Sequence, residues 1–275
     1  MNRGLQTRSP PLPCSYDEMV SSRPPEPRTG RAHGERAGYP PVHAQRLSEQ
    51  VTRLLAARIL DHADDPAFEL PSETEVCLEF GVSRTVAREV VSHLERMRLV
   101  TVRHGRRTRP RPRHEWDYLD PLLFELQDPQ GTRRLLTELT DVRLAIEPEV
   151  AAWAARAVRA EVVAGLAAAI KGMREHIGDH DRYIGHDMAF HMVLVEATDN
   201  RVLARIMESL RTLLLTSRDV LSLLPDSSER AIADHQRIMT AVAAGDADGA
   251  RQAMRQHLDW AMRSYGIGGL SNLSP

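Results

Sequence analysis

Four residues in the second half of the chain are of the types that hold a metal ion. Asp187 and His191 stand four positions apart, so on a helix they project from one face, a turn apart, and can share one ion. His235 and His257 follow, each inside a stretch of helical periodicity and beside apolar neighbours. Their spacing is that of one helix, a short turn and a return, so antiparallel neighbours can bring both imidazoles to one level. Three neutral imidazoles with one carboxylate suit a divalent transition metal, Zn²⁺ first, with Ni²⁺ or another first-row ion as alternatives. Octahedral geometry would keep positions open for a small anionic ligand. The competing reading is that each imidazole is an ordinary hydrogen-bonded core histidine, and periodicity alone leaves both open. His176, His180 and His186 share no face with the quartet and are read as surface residues.

A second stretch, Leu70 to Arg109, has the pattern of a DNA reader. Ser72 can cap a helix whose third residue, Glu75, reaches back to it: a capping box. Val76 and Phe80 share one face of that helix, and Gly81 supplies a left-handed stop. Ser83 caps again, and a second helix is expected from about Arg84 to about Met97, with Val86, Val90, Leu94 and Met97 as its buried stripe. Thr85, Arg88 and Ser92 form the opposite, hydrogen-bonding face, which suits a major groove. Val100 to Arg103 alternates as a strand, His104 and Gly105 make a turn, and Arg106 to Arg109 returns as a polar strand, giving a wing.

These two sets need elements to position them. The chain of 275 residues is long for one domain and comfortable for two. Hydrophobic residues make up 42% but aromatics only 4%, and the Ala, Leu, Arg and Glu content favours helices packed on helices. The expected fold class is mainly α: an N-terminal winged helix-turn-helix plus a C-terminal all-α bundle of six to seven helices. The net charge of −2 does not itself suggest nucleic acid, but arginines from Arg96 to Arg113 crowd one short stretch. Cys14 and Cys77 fall in a tail and on a helix face, which speaks against a disulfide framework. No apolar run approaches the roughly 18 residues of a membrane span, and the expected location is cytoplasmic.

Taken in order, residues 1–42 read as a disordered tail rich in Pro and Arg, and 43–110 as the DNA-binding domain, opened by a helix with Leu47, Val51, Leu54, Leu55 and Ile59 on one face. Residues 111–120 read as a linker and hinge with Trp116 and Tyr118 as anchors, 121–266 as the helical effector domain, and 267–275 as a flexible end. Helices are expected near Pro121–Gln127, Arg133–Val158, Ala160–Ile177, Asp181–Ala197, Arg201–Leu224, Ser228–Ala244 and Asp246–Tyr265. Gly245 followed by Asp246 is the sharpest stop and cap. Ile206, Leu210, Leu213, Leu214, Leu221 and Leu224 line one face of the long helix.

The segments LPSE, GVSRTVARE and RHGRRT, with DVRLAIEPEVAAWAA, DMAFH and GDADGARQAMRQH, together resemble the GntR superfamily of bacterial transcription regulators, in its FadR-like branch with an FCD-type helical effector domain. The resemblance implies that Ser83, Arg84, Thr85 and Arg88 contact operator phosphates and bases, with His104, Gly105 and Arg106 at the wing tip. It implies that Asp187, His191, His235 and His257 hold the metal and that Arg143 lines the effector pocket, where its planar fork can pair with a ligand carboxylate. An intrahelical pair of Arg143 with Glu147 or Asp141 is the plainer alternative. The segment HEWDYLDPLL is similar to that of members responding to galactonate and related sugar acids. Many members carry an arginine where this chain has Thr74, and a threonine cannot make that arginine's bidentate contact to a guanine. The expected function is that of a homodimeric repressor, released from a palindromic double-stranded operator by a small carboxylate such as a sugar acid. The alternative is a metal-dependent enzyme acting on a small carboxylate, for which no motif places a spare base near the ligands.

Overall fold

The computed structural model describes residues 42–102, 107–216 and 227–264. Among them are ten helices and two short strands, divided between two compact units. One unit contains the described residues up to Leu136 together with 212–216; the other contains Thr137–Arg211 and 227–264. The expected tail, the wing residues His104, Gly105 and Arg106, Leu221, Leu224 and the C-terminal end lie outside the described residues.

In the first unit, α1 (Val42–His62), α2 (Glu73–Phe80) and α3 (Arg84–Arg96) precede β1 (Val100–Thr101) and β2 (Arg109–Pro110). The capping box forms as the sequence dictates: Glu75 N–H donates to Ser72 Oγ, and Ser72 N–H donates to the Glu75 carboxylate at 2.8 Å. Gly81 ends α2 at φ +65°. Ser83 Oγ accepts from Val86 N–H to start α3, whose stripe of Val86, Val90, Leu94 and Met97 is buried. The strands pair antiparallel, Val100 opposite Pro110 and Thr101 opposite Arg109, so the return strand lies later than Arg106–Arg109. Pro110 is tolerated because the ladder is completed beyond it, Arg111 N–H donating to Leu99 O at 2.8 Å.

Two expectations change here. On α1, Val51, Leu55 and Ile59 are buried but Leu47 and Leu54 are about half exposed, and Ser48 and Thr52 take their places. Helix α1 packs on α3, and the small side chains of Ser48 and Thr52 are buried on it where an apolar periodicity does not mark them. The stretch 111–120, expected as a linker and hinge, is fastened to the winged helix instead. Trp116 and Leu123 join its core, Trp116 Nε1–H donates to Arg111 O at 2.9 Å, and Asp117 N–H donates to Met97 O at 3.0 Å. With α4 (Pro121–Glu125) carried along, this unit extends well past residue 120.

The second unit is all-α among the described residues. It takes in most of α5 (Pro129–Arg156), then α6 (Ala160–Glu175), α7 (His180–Glu196), α8 (Arg201–Thr216) as far as Arg211, α9 (Ser227–Ala243) and α10 (Ala247–Ser264). Helix α6 packs on α7, and α9 packs on both α10 and α6. Leu210, Leu213 and Leu214 are buried as expected, whereas Ile206 is about half exposed and Leu203 and Met207 fill the stripe in its stead. Gly245, at φ +71°, ends α9, and Asp246 caps α10 by accepting from Gly249 N–H at 2.9 Å. No helix among the described residues is long and apolar enough to cross a membrane.

Candidate metal centre and DNA-reading face

Helix α7 starts where Asp179 accepts from Arg182 N–H. Tyr183, Phe190, Leu194 and Val195 are buried, and Asp187 and His191 are drawn inward with them. His235 on α9 and His257 on α10 arrive because Ile232, Ile238, Val242, Ala250, Met254 and Leu258 bury the facing stripes of those helices. The ring centroids of His235 and His257 come within 4.4 Å, those of His191 and His257 within 5.4 Å. Phe190 meets His235 edge to face at 4.4 Å and closes the apolar side.

One ligand atom from each of Asp187, His191, His235 and His257 lies within 4.8 Å of all the others. His235 Nε2 is 3.3 Å from His191 Nε2 and 3.4 Å from Asp187 Oδ1. Donors bound at about 2.1 Å to one ion stand about 3 Å apart, so the donor set fits a divalent transition metal. Asp187, whose carboxylate is the least buried of the four, supplies the one negative charge.

Around the quartet lies a ring of acceptors. His235 Nδ1 is 2.7 Å from Ala231 O, which fixes this nitrogen as the donor and leaves Nε2 facing its neighbours. His191 Nδ1 is 2.5 Å from Glu147 Oε2, and His257 Nδ1 is 3.9 Å from Asp234 Oδ2. Burial pushes the pKa values of His235 and His257 down, with neighbouring histidines adding to the effect and Asp234 opposing it at His257, which favours the neutral rings. Burial alone would raise the Glu147 carboxyl, but the Arg143 guanidinium and His191 reverse that and hold it well below the usual carboxylate range. Asp234 is opposed by burial and lowered by His257, Arg237 and Arg230.

Arg143 is buried on α5, Nε 2.5 Å from Glu147 Oε1 and one terminal nitrogen 3.1 Å from His191 Nε2. The plainer intrahelical pair with Glu147 is thus present, and the same guanidinium also reaches the rim of the quartet. The sequence does not mark Glu147 and Asp234 as parts of the site: Glu147 reads as Arg143's helical partner, and the signal at Asp234 is an acidic residue with arginines at i−4 and i+3, Arg230 and Arg237. His176, His180 and His186 are half-buried rather than at the surface, with the rings of His176 and His186 stacked at 5.0 Å.

On the winged helix, Ser83, Arg84, Thr85 and Arg88 are all exposed, and among the described residues Arg84 and Arg88 make no ion pair. The arginines after β1 behave differently. Arg107 pairs with Glu69 and Glu75, Arg109 with Glu69, Arg111 with Glu115 and Val100 O, and Arg113 with Asp64 and Leu60 O. Part of the basic crowding is therefore neutralised within the unit, while Arg84 and Arg88 on α3 stay outside any described ion pair.

Comparison with known proteins agrees with both halves. Residues 47–109 match the bacterial regulatory proteins of the gntR family, and residues 138–259 match the FCD domain. The putative L-lactate dehydrogenase operon regulatory protein of Escherichia coli (strain K12) is 32% identical over 237 residues, covering 80% of this chain and 86% of that protein. The galactonate operon transcriptional repressor of the same strain is 26% identical over 211 residues, covering 75% of this chain and 91% of that protein. Among solved structures, that of Lar, which controls the expression of the Listeria monocytogenes agr system, covers 84% of this chain at a TM-score of 0.58 and 16% identity, with 99% of its own length matched, a likeness of fold. A winged helix that exposes an uncommitted recognition face, joined in sequence to an FCD domain, places the chain in the gntR family of bacterial regulatory proteins, as a DNA-binding transcription regulator and not an enzyme.

Proposed function

We propose that this regulator is a homodimeric, effector-released repressor whose helical domain binds a divalent transition metal, Zn²⁺ in the first instance, and through it a small carboxylate of the sugar-acid class. The observation that carries the reading is the convergence of Asp187, His191, His235 and His257 within 4.8 Å, with His235 held by Ala231 O so that its Nε2 faces the others. A bound divalent ion would supply Lewis-acid positions at which a carboxylate oxygen binds. Arg143 stands beside His191, where its guanidinium can exchange part of its contact for a ligand carboxylate. The named galactonate repressor among the relatives supports the sugar-acid class and the sign of regulation.

On the DNA side, two copies would read the half-sites of a palindrome. Ser83, Arg84, Thr85 and Arg88 would enter the major groove, with His104, Gly105 and Arg106 as the proposed wing contacts. The effector changes operator affinity only by binding one arrangement of the dimer better than the other. The test is operator binding by zinc-loaded protein with and without a panel of sugar acids. Release by at least one member is expected; binding that no carboxylate alters overturns the sensor reading.

A further inference from the structure

We propose that Glu147 and Asp234 are positioning residues of this centre: outer carboxylates that receive the Nδ1–H of His191 and His257, fix both rings in one tautomer, and turn Nε2 toward the quartet. The inference rests on the metal reading of Asp187, His191, His235 and His257.

Three observations carry it. The outer environment of each ring has the same form: an acceptor faces Nδ1 in every case, Ala231 O at 2.7 Å from His235, Glu147 Oε2 at 2.5 Å from His191 and Asp234 Oδ2 at 3.9 Å from His257. An imidazole that donates from Nδ1 keeps its lone pair on Nε2, which is the state a metal ligand requires. Second, the Nδ1 atoms of His191 and His257 are fully buried and make no aligned hydrogen bond, and the acceptors that face them are these two carboxylates. A buried ring nitrogen without an acceptor is costly, so the two carboxylates are the groups able to meet that need.

Third, Asp234 is buried far beyond what its arginine partners demand, and Glu147 is buried together with Arg143. Asp234 is completely buried although Arg230 and Arg237, which grip it, are about half exposed. An ion pair serving the surface alone would leave the carboxylate in water and avoid its desolvation. Here the carboxylate lies inside, against His257, with the arginines reaching inward to neutralise it. Glu147 is likewise buried between Arg143 and His191. The chain thus runs from a guanidinium to a carboxylate to an imidazole on both sides of the centre. At 3.9 Å the Asp234 arm is the looser of the two.

The experiment uses the full chain loaded with Zn²⁺. Long-range ¹⁵N–¹H spectra of the imidazoles in the wild type report the tautomer without any substitution. His191, His235 and His257 are all expected as Nδ1–H with Nε2 bound, and metal on Nδ1 of His191 or His257 overturns the proposal. Zinc affinity is then measured by competition with a chromophoric chelator for Glu147→Gln, Asp234→Asn and, as a control, His235→Ala. The carboxylate variants are expected to bind about 10- to 100-fold more weakly, Glu147→Gln the more so, while retaining the helical signal. Affinity within twofold of wild type in both variants sinks the positioning role and leaves the quartet standing. Failure of the wild type to bind zinc any better than His235→Ala sinks the metal reading and this inference with it.

Discussion

At the scale of single residues, two of the arginines singled out from the sequence, Arg143 and Arg84, have opposite settings. Arg143 is buried and committed, held by Glu147 and reaching His191, so its charge is already compensated before any ligand arrives. Arg84, at the exposed start of α3, makes no ion pair among the described residues and is available to a partner. Substituting Arg84→Ala is expected to weaken operator binding by about 1 to 3 kcal/mol if it touches a base, as measured by gel shift at fixed salt. Affinity equal to wild type removes Arg84 from the contact face. Asp187 and His191 were legible as a pair because Asp–x₃–His on a helix shares one face, while His235 and His257 were joined to them by the family resemblance. Glu147 and Asp234 were not, because an acidic residue one helical turn from an arginine reads in sequence as an ordinary surface pair.

At the scale of elements, the ends of α3 and the start of α2 hold measurable stability. Helix α3 closes in a Schellman arrangement: Leu99 N–H donates to Leu94 O and Arg98 N–H to Glu95 O, with Arg98 at φ +56°. An L side chain there carries a strain that glycine relieves, partly offset by the greater freedom of glycine in the unfolded chain. The variant Arg98→Gly is therefore expected to gain about 0.5 to 1 kcal/mol in denaturant unfolding; a loss of stability would mean that the Arg98 side chain contributes more than the backbone relief. At the other end, hydrogen bonds from Ser72 and the charge of Arg107 hold the Glu75 carboxyl below the usual carboxylate range. A lowered folded value means that the ionised form favours folding. Its contribution is fully present above the ordinary value of 4.5 and is lost as pH falls through the lowered one. Glu75→Gln keeps the reciprocal cap without the charge, so the stability advantage of wild type over this variant is expected to shrink below pH 4.5. A difference that stays constant across that range contradicts the assignment. The helix boundaries followed from local chemistry, as at Gly245 and Asp246, whereas the orientation of α1 did not, because its buried Ser48 and Thr52 are chosen by the closeness of α3.

At the scale of the molecule, the proposed centre is assembled from three helices, α7, α9 and α10, which the unfolded chain does not hold together. A ligand that binds only the folded state adds stability by mass action, about 2.7 kcal/mol at 100 times the dissociation constant. Removing metal with a chelator is accordingly expected to lower the thermal midpoint of the helical unit, with recovery on adding zinc back. A midpoint indifferent to both treatments counts against a metal site made by folding. The structure divides into two units, and the early one includes the Trp116 segment, because burial of Trp116 and Leu123 in the winged-helix core outweighs the Pro-rich, linker-like composition around them.

What the sequence determined by itself were the features that depend on near neighbours. They include the Ser72–Glu75 box, the Gly81 and Gly245 stops, the α3 stripe and the pairing of Asp187 with His191 on one face. Each needs only the geometry of a single helix, which spacing encodes. Only the tertiary structure decided which distant groups share a buried space: that His257 meets His191 and His235, that Glu147 and Asp234 stand behind them, and that the arginines following β1 are spent on Glu69, Glu75, Glu115 and Asp64. Those partners are set by how helices cross and what they exclude from water, and no fixed interval along the chain records that.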